Sequence, residues 1–178
     1  MVAMRGQAPT GSRLPDGVWS IDTQHSEIGF AVKDMWGLRT VRGCFRAYDG
    51  SLTVREGGAA GELTIEAGSL DTGNNRRDRH LRSPAFFDVE RHPRIVFTAT
   101  AVTPRDRGMT VEGELATGSS RVRLEIPVSV ERTADNGLRL EGITSVAREA
   151  AGLTWNMLGM MRGDAVLHAR LTLERGSR

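Results

Sequence analysis

Cysteine and lysine each occur once in the 178 residues, as Cys44 and Lys33. A single cysteine excludes an internal disulfide and any cysteine-based zinc cluster, and no histidine spacing suggests another metal site. Positive charge is therefore almost all arginine, and 24 Lys+Arg against 22 Asp+Glu leaves a formal net charge of only +2. No block of like charge marks a nucleic-acid arm. No stretch approaches the roughly 18 apolar residues of a membrane helix, and MVAMRGQAPTGSRLPDG lacks the apolar core of a secretory leader, so a cytoplasmic location is expected. Aromatic residues make up just 5% of the chain.

Period-two alternation, by contrast, is present almost throughout. Met1 to about Leu14 has none and reads as a mobile terminus; 15–175 reads as one domain and 176–178 as a tail. Within the domain, apolar residues alternate with polar ones from Val18 to Val32, from Val41 to Val54, from Leu63 to Ala67 and from Ile95 to Ala101. They do so again from Met109 to Leu115, from Val122 to Val130, from Leu138 to Arg148 and from Ala165 to Leu173. Asn136-Gly137 is a hairpin signal, and Pro127, unable to donate to a ladder, predicts an edge or a bulge. About eight antiparallel strands with one apolar face each predict a sandwich or closed barrel, with helix confined to connections.

The inward positions are rich in small residues: Gly43, Ala47, Ala67, Ala99, Ala101, Gly113, Gly142, Ala165 and Ala169. A barrel of this size is either filled by side chains or holds one ligand. Small inward residues leave volume that is empty, at a cost in dispersion contacts, or occupied by a guest. A lipophilic guest is expected; the alternative is a barrel end plugged by a helix, giving a filled interaction module.

Charge, two of the four histidines and the Phe86-Phe87 pair gather in one irregular segment, Ser69 to Phe97, between strands. Its Asp71-Thr72, Arg77-Asp78, His80-Leu81, Ser83, Phe86-Phe87-Asp88 and Pro93-Arg94-Ile95-Val96-Phe97 resemble the pattern SxDTxxxxRDxHLRSxxFFDxxxxPxIxF of the YceI-like polyisoprenoid-binding proteins. Trp19-Ser20-Ile21-Asp22, His25-Ser26, Phe30, Gly43, Phe45, Thr144-Ser145, Arg148, Gly152 and Trp155 extend the resemblance over nearly the whole domain. The resemblance implies an all-β, eight-stranded antiparallel lipocalin-like barrel with short helical connections. It further implies a bound polyisoprenoid rather than a catalytic cofactor, and a homodimer. Many relatives carry a secretory signal, which this sequence does not show.

Lumen positions on this reading are Phe30, Val32, Val41, Phe45, Phe97, Val111, Leu124, Ile126, Leu167 and Leu171. Portal positions are Met35, Trp36, Leu81, Phe86, Phe87, Trp155, Met157, Met160 and Met161, the methionines because a thioether chain adapts to a flexible guest. Arg76, Arg77, His80 and Arg82 are head-group candidates for a pyrophosphate or quinone, and loading implies transient membrane contact. Arg77 and Asp78 are expected instead to form a structural ion pair, with Arg79 and Arg82 solvated, His80 a hydrogen-bonded brace and His92 on the surface. An enzyme using Asp78 and His80 as acid and base is the alternative; non-enzymatic binding, storage or transport is the leading expectation.

Overall fold

A computed structural model describes residues 14–34, 39–56, 58–147, 150 and 164–176. Its strands are β1 (Gly17–Asp34), β2 (Arg39–Phe45), β3 (Tyr48–Arg55), β4 (Gly58–Glu66), β5 (Leu70–Asp71), β6 (Arg94–Pro104), β7 (Met109–Thr117), β8 (Ser120–Arg132), β9 (Leu138–Val146) and β10 (Ala165–Arg175). One helix, α1 (Asn75–Arg82), follows β5. Every ladder is antiparallel, and β10 pairs with both β9 and β1, so the sheet closes on itself.

Closure works because β1 is long enough to serve two neighbours. Its first residues pair with β3, Gly17 opposite Val54, and its later ones with β2, Ile28 opposite Phe45. β2 and β3 thus form one bent stave, and with the two-residue β5 set aside the barrel has eight. A bulge between Asp22 and Glu27 lets β1 turn this corner. Side chains replace the lost ladder there: Thr172 N donates to Ser26 Oγ at 2.9 Å, Thr172 Oγ1 to the His25 carbonyl at 2.9 Å, and Tyr48 Oη to the Ser26 carbonyl at 2.5 Å.

Two irregularities move residues from the face that simple alternation predicts. The kink at Arg46 and Ala47 resets parity between β2 and β3, so Ala47 is exposed rather than inward. A second bulge, between Ala99 and Ala101 on β6, turns Val102 inward in place of Ala101. Ala67 opens a 3-10 turn and is buried in the core.

The termini also differ from expectation. Leu14 is only 6% exposed and packs with Trp19, whose indole N–H donates to the Pro15 carbonyl at 3.1 Å. An isolated leucine among Gly, Pro and Ser has no periodic partner to reveal it. At the other end Gly176 donates to the Val18 carbonyl at 2.8 Å, one residue beyond the expected limit of the domain.

Pro127 pairs only toward β7, opposite Thr110, at the point where the ladder from β8 to β9 ends; that ladder spans Val128 to Arg132. Among the described residues the strand is therefore paired on one side only up to Pro127, as the proline allows. Asn136-Gly137 does join β8 to β9, but in a wider loop: Asn136 adopts φ 59°, and Thr133 N donates to the Gly137 carbonyl.

Candidate functional site

The barrel interior holds two hydrophobic clusters. One, at the α1 end, includes Phe30, Phe45, Ile65, Leu70, Leu81 and Ile95; the other, at the far end, is built from Leu14, Trp19, Val54, Met109, Leu138 and Leu173. Between and along them runs a cavity of about 490 Å³, within the usual range of roughly 300–1,000 Å³ for ligand pockets.

All ten predicted lumen residues, Phe30, Val32, Val41, Phe45, Phe97, Val111, Leu124, Ile126, Leu167 and Leu171, border it, as do Leu81, Phe86 and Phe87. Met35, Trp36, Trp155, Met157, Met160 and Met161 lie outside the described residues. The small-residue argument holds only in part. Ala99, Gly142, Ala165 and Ala169 do border the cavity, but Gly43 and Gly113 are small because phenyl rings cross them. A Cβ on Gly43 would stand 2.5 Å from Phe30 Cζ, and one on Gly113 2.5 Å from Phe97 Cζ.

The α1 end is assembled by the charged segment. Asn74 caps the helix, its Oδ1 accepting from Arg76 N and Arg77 N at 3.1 Å each, which satisfies two of the donors every helix start leaves open. Asp78, 4% exposed, accepts from Thr72 N at 3.1 Å and from Thr72 Oγ1 at 2.5 Å. Arg77 donates from Nε to the same hydroxyl at 2.7 Å and from Nη2 to the Thr72 carbonyl at 2.8 Å. The expected Arg77–Asp78 tie therefore runs through Thr72, which accepts from one and donates to the other, rather than as a direct ion pair. Hydroxyl relays of this kind polarise and strengthen one another in a low-dielectric setting.

Arg82, expected in solvent or on a head group, instead donates to the Gly68 carbonyl at 2.8 Å and the Leu70 carbonyl at 2.6 Å. It braces the 3-10 turn against α1. Asp71 is held below the ordinary carboxyl range, first by the Gly73 amide and then by Arg46, whose Nη2 lies 2.9 Å from its Oδ2. Arg76 and Arg79 are exposed on the outer side of the helix, and His92 is on the surface. Of the four head-group candidates, only Arg77 and His80 border the cavity. His80 is exposed and stacks edge-to-face on Phe86, with centroids 5.2 Å apart and planes at 70°. Phe87 meets Phe45 at 6.4 Å, and Phe45 meets Phe30 at 5.6 Å, so a run of rings leads from the segment into the barrel.

Among the described residues, polar side chains on the inner wall are confined to this half. Besides Arg77 and His80 they are Thr117, at the end of β7, and Thr144, two residues from Val146 on β9. Ser51 and Glu62 also border the cavity, but strand alternation turns their exposed side chains outward. His168 likewise lies on the outside, against Gly29 and 3.6 Å from Glu27 Oε1. Sequence reasoning missed Thr117 and Thr144 because it counted only apolar residues as inward, although both share the parity of Leu115 and Gly142. It missed Met109 and Leu173 as cavity residues for want of a depth coordinate.

Among the described residues, no group of three or more His, Cys, Asp or Glu side chains could hold a metal ion. No helix among them is long and apolar enough to cross a membrane.

The model of the YceI-like domain matches residues 19–173. The chain belongs to the YceI-like family. Curated YceI-like relatives include a UPF0312 protein of Photorhabdus laumondii, 38% identical over 98 residues covering 53% of this chain and 50% of that one. Protein YceI of Escherichia coli is 32% identical over 95 residues, covering 52% and 49%. The matched segment thus spans about half the length of these relatives.

Solved YceI-like structures share the fold at low identity. BcnA of Burkholderia cenocepacia superposes with a TM-score of 0.78 at 18% identity, covering 85% of this chain and 98% of that one. A domain from Saccharophagus degradans, described as polyisoprenoid-binding and implicated in plant cell wall breakdown, gives 0.73 at 13%, covering 89% and 98%.

Proposed function

We propose that the barrel binds one long-chain polyisoprenoid lipid without chemical change, as a carrier or store. The observation that carries this reading is the cavity: among the described residues it is apolar over its depth, with polar side chains at one end only. That is the complement of an amphiphile with a long hydrocarbon tail. Burying tail contributes about 0.8 kcal/mol per CH₂ before the cost of ordering the chain, so a few five-carbon units supply useful affinity. Arg77 and His80 are placed to orient the head of an isoprenoid quinone or a polyprenyl phosphate. The Saccharophagus degradans structure, a polyisoprenoid-binding domain by description, supports the same ligand class. Loading from a bilayer would bring the α1 end into brief contact with the membrane.

Asp78, the acid of the enzymatic alternative, has its carboxyl engaged by Thr72 and does not border the cavity. That favours binding over turnover. Native mass spectrometry of the purified protein, together with thermal shift on adding prenyl phosphates and quinones, tests the proposal. A co-purified lipid or a dose-dependent rise in Tm is expected; no lipid and no shift with either class would overturn it.

A further inference from the structure

We infer that the far end of the barrel is a ruler that limits tail length, with Leu14 and Met109 as its stop. The inference rests on the polyisoprenoid reading above and concerns which chain lengths this protein accepts. The far end is closed: Trp19 is 2% exposed, Leu138 1%, Leu173 2%, Met109 3% and Leu14 6%. Leu14, Met109 and Leu173 also border the cavity, so its apolar floor is made of the same side chains that seal the barrel. Among the described residues the inward polar groups stand only at the other end, which fixes the direction of an amphiphile, head at Arg77 and His80 and tail toward Met109.

From Leu115 to Met109 the wall runs six residues, or about 20 Å along the strand and about 16 Å along the axis at a tilt near 40°. A tail that reaches the floor gains nothing from further units, because they must fold back or project from the mouth. Leu14 is the adjustable part. It precedes β1 and belongs to no ladder, whereas Trp19 and Leu173 are paired within the sheet.

Binding of a graded set of all-trans prenyl alcohols, two to nine units long, tests the idea by competition with a fluorescent fatty-acid probe. In the wild type, each unit should strengthen binding about tenfold up to a ceiling and change it less than about threefold beyond. Leu14→Ala and Met109→Ala should move the ceiling to a longer alcohol. Val111→Trp, which adds bulk to open space without removing a floor contact, should move it to a shorter one. Phe87→Ala, at the mouth, should weaken all lengths alike and leave the ceiling in place. Affinity that climbs without a break in the wild type, or a ceiling unmoved in Val111→Trp, would overturn the ruler while leaving lipid binding intact. If no alcohol binds the wild type, the polyisoprenoid reading itself falls, and the ruler with it.

Discussion

The two ends of the barrel are closed by different physics. The far end is sealed by side chains packed as in an ordinary core, with Trp19, Leu138 and Leu173 almost fully buried. The α1 end is covered by a helix and turn that add polar ties to the apolar packing of Leu81, Phe86 and Phe87: Arg82 on two carbonyls, Arg77 and Asp78 on Thr72, Arg46 on Asp71. Dispersion and apolar burial are non-directional and lost only when the whole end comes apart. Hydrogen bonds each contribute about 0.5–1.5 kcal/mol net and exchange readily with water, so an end held by them opens at lower cost. One end can set a limit while the other admits a guest.

Removing the keystone of the sealed end should have the largest effect. Trp19→Ala should cost about 3–5 kcal/mol of global stability, read as a lower urea midpoint, because a buried indole leaves a cavity the strands cannot fill. Next, Asp78→Ala should cost about 1–3 kcal/mol, since Thr72 N and Oγ1 lose their buried acceptor. Here the comparison sharpens: hydrogen exchange should speed first in 70–82 and barely change in the floor strands. Equal acceleration at both ends would break it. Asn74→Ala should cost about 1 kcal/mol through loss of the helix cap, with the same local signature.

The smallest effect is one of pH. Asp71 has its folded-state pKa lowered, by the Gly73 amide and then Arg46. The stability it contributes is therefore present above the ordinary carboxyl pKa of about 3.9 and is lost as pH falls through the lower folded value. Acidification below about pH 4 should loosen the α1 end before the floor, again visible by hydrogen exchange.

Much of this architecture was legible in the residues themselves. Alternation located the staves, and the charged segment stood out because nothing else in the chain interrupts the pattern so long. What alternation could not show was where its own phase resets. The kink at Arg46 and Ala47 and the bulge at Ala99 to Ala101 each shift parity by one, and both are set by the closing geometry of the barrel rather than by local composition. Gly43 and Gly113, expected to leave lumen volume, leave none and do not border the cavity. Their smallness accommodates the rings of Phe30 and Phe97, which only the cross-strand register reveals. Arg82 was opaque for a related cause: an arginine bonded to two carbonyls looks, in sequence, like one in solvent.

The pairing of β1 with β10 has a practical side. Trp19 stands opposite Arg175, and Gly176 is hydrogen-bonded to Val18, so the described chain begins and finishes side by side at the sealed end. Among the described residues, Leu14 and Gly176 both lie on the side opposite the mouth. Immobilised through a tether at Gly176, the barrel would present its α1 face outward, an orientation suited to capturing lipid from a vesicle passed over it.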